Sequence, residues 1–190
     1  IVGATDYSGN GNHGTATGTT IVPHPLYPAK TARQFNGISD GIICPNVTLG
    51  TDITVIHIVK VLSTSDSVYT KSLRFGANGD IGSGQGSLST SAVWSTALWF
   101  TDGDGNAVHT YFTVGSSVGQ TLFLAIGYKN GDDKITGGVN GVFEPKISTP
   151  SVAGCTPRWS GTKPLYLGRS SVGEYGNVVI LGTYIFNRLL

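Results

Sequence analysis

A chain of 190 residues is the size of one domain and long enough to enclose a sizeable core. Gly, Thr and Ser supply 68 of its residues, charged side chains only 12 %, and the formal charge is +1; with 39 % hydrophobic residues this is turn-rich β-structure and not disorder. The near-neutral balance and the lack of a Lys/Arg cluster argue against a nucleic-acid partner, and no apolar run approaches the roughly 18 residues of a membrane span.

Ile1 follows no charged and apolar leader and the sequence has no Met, so residues 1–190 are expected to be a domain excised from a longer chain. Arg33–Asn36 and Gly41–Cys44 are the first strands expected. Ile53–Leu62 is dense in β-branched residues: Ile53, Val55, Val59 and Val61 fall on one face, Ile56, Ile58 and Leu62 on the other. Apolar residues on both faces predict a central strand. Val68–Phe75 follows, then the low-complexity run Gly82–Ser87, expected to be an exposed loop. Ala97–Thr101 and Ala107–Val114 flank an Asp-Gly-Asp-Gly-Asn turn. Thr121–Lys129 is a second two-faced strand, Lys134–Val139 and Pro164–Arg169 are shorter ones, and Asn177–Asn187 is the third two-faced strand. Asn78-Gly79, Asn130-Gly131 and Asn140-Gly141 are hairpin turns by composition. Ten or more strands without a sustained helical period predict an all-β fold, a two-sheet antiparallel sandwich. Cys44 and Cys155, 111 positions apart, fit either one long-loop disulfide or two buried thiols.

Three segments resemble the laminin-G-like jelly roll of the concanavalin A-like superfamily. Asp6-Tyr7-Ser8-Gly9-Asn10-Gly11-Asn12-His13-Gly14-Thr15 is similar to that family's opening D-x-S-G-N-G-N-H-G-T loop, and Ala32–Gly41 to its A-x-x-F-(D/N)-G-x-x-D segment. Pro164-Leu165-Tyr166-Leu167-Gly168-Arg169 and Tyr184–Leu190 resemble its closing L-Y-I-G-R and I-Y-N-R-x-L, with the Val139-Asn140-Gly141-Val142 hairpin between. The chain departs from the family at Val179-Ile180-Leu181-Gly182, where an Asp-Glu pair is usual, so no role of that pair carries over. The resemblance implies a jelly-roll β-sandwich of the kind found in bacterial surface proteins and in phage tail fibres, tailspikes and other virion proteins. It also implies calcium held by loop oxygens, for which Asp6, Asn10, Asn12, Asp40 and Asp80 are the candidate ligands.

Catalytic patterns are missing from the sequence. Glu144 and Glu174 lie 30 positions apart, and the paired carboxylates a glycosidase sets across its scissile bond have no counterpart. Ile1-Val2-Gly3 looks like an activated trypsin-like terminus, but no sequence surrounds a serine or histidine as that triad requires. The four histidines share no zinc spacing, and His57, inside a strand, is expected to be packed and hydrogen-bonded. Trp94, Trp159 and Tyr175 flank Ser, Gly and Arg in expected loops, where an aromatic face can stack on a pyranose. Arg158 adds a fork of donors suited to an acidic sugar. The expected function is therefore a non-catalytic carbohydrate-binding or adhesion module, extracellular or on a virion surface. Its expected partners are a cell-surface glycan, neighbouring chains of the same assembly and further copies of itself. The alternative is a structural or decorating module that docks on other chains without sugar recognition.

Overall fold

A computed structural model of the chain describes residues 3–63, 70–76, 80–85, 93–115, 118–147 and 152–190, with side chains except at 3, 70–71, 82–85, 93–97, 99, 109–115 and 143–147. The expected turn at Asn78-Gly79 and the last two residues of the expected Gly82–Ser87 loop lie outside the described residues, as do the side chains of Trp94, His109 and Glu144.

The strands run in chain order β1 Gly3–Ala4, β2 Gly14–Thr17, β3 Thr20–Pro23, β4 Thr31–Asn36, β5 Gly41–Leu49 and β6 Ile53–Val61. Next come β7 Thr70–Phe75, β8 Ile81–Gln85, β9 Val93–Thr101, β10 Ala107–Gly115 and β11 Thr121–Tyr128. The last are β12 Lys134–Val139, β13 Val142–Ile147, β14 Thr156–Pro157, β15 Gly161–Leu167 and β16 Asn177–Phe186. One sheet has the order β1-β2-β5-β15-β7-β8-β9-β10, with β14 beside β9; the other has the order β13-β12-β11-β6-β16-β4-β3. Every pairing is antiparallel.

The three two-faced strands of the sequence lie side by side as β11-β6-β16 in the middle of the second sheet. Ile53, Val55, Val59 and Val61 of β6 have no exposed surface, and they meet Leu73, Phe75, Ile81, Leu98 and Phe100 of the first sheet in one core. Ile56 and Ile58, on the opposite face, are half-buried. His57 falls on the core face, where both ring nitrogens find hydroxyls: Nδ1 lies 3.0 Å from Thr183 Oγ1 on β16 and Nε2 lies 3.0 Å from Ser72 Oγ on β7. The ring therefore ties one sheet to the other, and full burial pulls its pKa down to about 3, so it is neutral at ordinary pH.

Two strand expectations are corrected. Gly82–Gln85 is strand and not loop, because β8 fills the gap between β7 and β9 and backbone pairing on both sides overrides the weak strand propensity of glycine. β5 runs past Cys44 to Leu49 despite Pro45. Pro164 on the partner strand falls where the register slips between Lys163 and Leu165, so the missing N–H groups of both prolines sit at one bulge. The Asn140-Gly141 turn is as expected, with φ of 54° and 90° at its two central residues. No disulfide joins Cys44 and Cys155. Cys44 is on β5 and Cys155 precedes β14, which pairs with β9. β14 lies on the β8 side of β9, three strand spacings or about 14 Å from β5, too far for a disulfide.

Candidate functional site

Side-chain alternation decides what the outer face of the first sheet carries. Leu73 and Phe75 are buried in the core, so Arg74 between them turns outward; Leu165 is buried and Leu167 packs on the core, so Tyr166 turns outward too. Arg74 and Tyr166 are register partners. The row continues through Ile43 to Thr15 on one side and through Gly82 to Ala97 on the other.

An arch from Gly168 to Gly176 rises at the end of this row. Gly168 N donates to Ser72 O at 2.8 Å and Gly176 N to Gly168 O at 2.9 Å, while Ser170 Oγ accepts from the backbone N–H groups of Val172 and Glu174. Gly168 has φ +73°, and a Cβ there would lie 2.0 Å from Phe35 Cδ1, so only glycine lets the arch sit down on the core. Arg169 and Tyr175 face each other across the arch as an isolated bridge, with the guanidinium carbon 5.3 Å from the Tyr175 ring centroid. The Arg169 stem crosses Gly41, where a Cβ would stand 2.3 Å from Arg169 Cδ. Because the neighbouring Ile42 faces the core, that contact places Arg169 on the outer face beside Tyr166.

Charge gathers next to these rings. Lys163 Nζ donates to Asp80 Oδ2 at 2.7 Å and also to the Arg158 carbonyl oxygen, and Arg158 Nε lies 3.5 Å from Asp80 Oδ1. Burial lowers the pKa of the Arg74 guanidinium; the carboxylates of Glu174 and Asp80 offset this and Arg158 adds to it. These groups are thus one electrostatic cluster. Glu174 Oε2 is buried and has no hydrogen-bond partner among the described residues.

Of the residues singled out by sequence, Tyr175 belongs to this face, and Arg158 pairs with Asp80 within electrostatic reach of Arg74. Trp159 does not belong to the face. It has no exposed surface and packs edge-on against Phe100 and Tyr128, with centroids 5.0 and 5.7 Å away, so it is a core residue with no face to offer a sugar. For Trp94 the structure describes only the backbone, which pairs with Gln85. Arg74, Tyr166, Arg169 and Glu174 were missed as site residues. Only Arg169 and Tyr166 carried a signal, as members of the closing L-Y-x-G-R segment.

The five oxygen donors proposed for calcium do not come together. Asp6 Oδ1 accepts from Ser8 N at 2.8 Å, and Oδ2 accepts from Ser8 Oγ at 2.8 Å and Asn12 N at 2.9 Å. These bonds hold its pKa below the usual carboxylate value. With Asp6 N donating to His13 Nδ1 and Asn10 N to Ser8 Oγ, the loop containing Asn10 and Asn12 is folded on itself. Asp40 is buried at the other end of β2, where it accepts from Asn36 N and lies against Gly18. Asp80 is on the far side of β5 and β15, about 14 Å across the sheet from the Asp6 loop, and is already matched by two cations. Among the described residues no three His, Cys, Asp or Glu side chains are placed to share a metal ion. The Asp102–Asn106 segment is likewise a turn, its Asp102 carboxylate spent on the N–H groups of Asp104 and Asn106.

Solved structures share this arrangement of two antiparallel sheets. The chain superposes on the Trypanosoma rangeli sialidase with a TM-score of 0.60 at 14 % identity, over 94 % of this chain and 27 % of that one. On the botulinum neurotoxin serotype D binding domain the values are 0.59, 12 %, 100 % and 48 %, and on the heptameric SAP-like pentraxin from Limulus polyphemus 0.50, 10 %, 83 % and 76 %. The fold is a jelly-roll sandwich. The jelly roll spans about a quarter of the sialidase chain and about half of the neurotoxin domain. No protein-family model matches its sequence, and no curated protein does.

Proposed function

We propose that this jelly roll is a non-catalytic carbohydrate-binding module displayed outside the cell or on a virion, and that the saccharide lies on the outer face of the first sheet. The observation that carries this reading is the gathering of Tyr166, Tyr175, Arg74 and Arg169 on one face by strand register and the Gly168–Gly176 arch. Tyrosine rings offer apolar area to the C–H face of a pyranose, and guanidinium forks donate to its ring substituents. The face is shallow, so single-site affinity is weak and is raised by repeated copies. The likeness to a sialidase and to a toxin's binding domain supports the fold of such a module and no particular sugar.

A second reading is favoured by the other sheet. Its outer face carries Phe123, 39 % exposed, beside Ile58, and Tyr184, 51 % exposed, beside Ile56. Such a strip suits docking on a neighbouring protein chain.

The test is binding of the folded domain to a broad glycan panel, in calcium and in chelator. The expected result is binding to one glycan class, weakened about tenfold or more, the equivalent of ~1.4 kcal/mol, by Tyr166→Ala and Tyr175→Ala and unchanged by chelator. Binding to no glycan, with the fold intact, moves the weight to docking through Phe123 and Tyr184.

A further inference from the structure

Resting on the reading of this face as a saccharide site, we infer that the saccharide it takes is anionic, bearing a carboxylate or a sulfate ester. Three cations, Arg74, Arg158 and Lys163, lie near two carboxylates, Asp80 and Glu174, and a fourth, Arg169, stands over Gly41 and Tyr175 on the outer face that carries Arg74. These four cations and two carboxylates sum to +2, while the chain as a whole has a formal charge of only +1.

The two signs also differ in depth. The Asp80 side chain is 5 % exposed and the Oε2 atom of Glu174 is buried, while the Arg158 and Lys163 side chains keep 25 % and 32 % of their surface. In these pairs the carboxylate is the more buried partner and the cation the more exposed one. Asp80 serves Arg158 and Lys163 together, one negative charge against two positive. Arg169 stands in neither of these ion pairs; its Nε donates to the Ser170 carbonyl and its guanidinium carbon lies over Tyr175. A guanidinium held in place over a ring by its own backbone contact is preorganised for a planar or tetrahedral oxyanion.

The chemistry of the neighbours selects a sugar over other anions. Tyr166 and Tyr175 flank the cations with partly exposed rings, which a free inorganic anion does not use and a pyranose does. The formal charge of only +1 and the lack of a Lys/Arg run disfavour a nucleic-acid backbone, whose affinity rests on many spaced phosphate contacts.

The experiment presents the domain with matched pairs: uronate and sialyl oligosaccharides with their methyl esters, and sulfated oligosaccharides with their desulfated forms, beside neutral glycans and a single-stranded DNA oligonucleotide. The inference expects at least one acid to bind tenfold or more tightly than its uncharged partner, and the uronate and sulfate arms to tell which anion is read. That preference should shrink about tenfold in Arg169→Gln and in Arg74→Gln, with Lys129→Gln, in the turn between β11 and β12, leaving it unchanged. Raising salt from 50 to 500 mM should weaken the same acid in the unaltered protein, a readout that needs no variant to fold. Equal binding of acid and ester, or a preference for neutral glycans, overturns the anionic inference and keeps the saccharide site. Binding to the oligonucleotide alone, or to nothing on the panel, overturns both.

Discussion

His57 is a basic residue held neutral between two hydroxyls in the middle of the sandwich. Its folded pKa of about 3 lies below the ordinary imidazole value of 6.5. The unfolded chain therefore takes up a proton below about pH 6.5 that the folded chain refuses, and stability falls as pH drops from 6.5 towards 3, by roughly 5 kcal/mol over the whole window. Asp6 and Asp102, whose pKa values are lowered, lose their contribution only below the ordinary Asp range, so pH 6.5 to 4.5 isolates the histidine. Urea midpoints at pH 7 and pH 4.5 should diverge in the native protein and converge in His57→Gln, which is less stable at pH 7 but has no imidazole to protonate; equal slopes in the two would refute this account. Trp159 provides the contrasting case. Trp159→Ala should cost about 3–5 kcal/mol in thermal or urea unfolding while the folded fraction binds ligand as before, since the ring faces the core. Its Nε1 has no hydrogen-bond partner among the described residues, so Trp159→Phe discards an unpaired donor and should stay within about 1.5 kcal/mol of the native protein.

Among the elements, the Gly168–Gly176 arch is the part on which the site depends most directly. Gly168→Ala combines a left-handed backbone angle with a side chain driven into Phe35. It should destabilise by about 2–5 kcal/mol and displace Arg169 and Tyr175, so glycan binding falls more than the folded fraction measured by calorimetry does. Loss of stability with binding retained per folded molecule would show that the arch does not set the site. The strands β6, β11 and β16 were legible because apolar residues fill both of their faces. β8 was not, since a strand of Ile81-Gly82-Ser83-Gly84-Gln85 has no propensity of its own and exists through its neighbours. The site was partly legible for the same reason. Tyr175 and Arg158 announce themselves as an aromatic and a donor in loops, but Arg74 and Tyr166 sit on regular strands 92 positions apart in sequence and become a pair only through register. Trp159 misled because a Ser-Gly-flanked tryptophan reads as surface until the chain around it is seen folding its ring under Tyr128 and Phe100.

For the whole molecule, two sheets share one core and differ in what they show to solvent. Among the described residues, the first carries Arg74, Tyr166 and Arg169 on its outer face and the second a sparse apolar strip around Phe123 and Tyr184. The sandwich itself could be read from strand count and turns, and the opening Asp6 loop is folded on its own hydrogen bonds. The arch has a further consequence. It links β15, flanked by β5 and β7 in the first sheet, directly to β16, flanked by β6 and β4 in the second. A pull on anything held by Arg169 and Tyr175 is thereby passed lengthwise into an interior strand of each sheet, where rows of hydrogen bonds resist together in shear and none is peeled open singly. A ligand weakly bound there would thus be let go by its own contacts long before the domain yields.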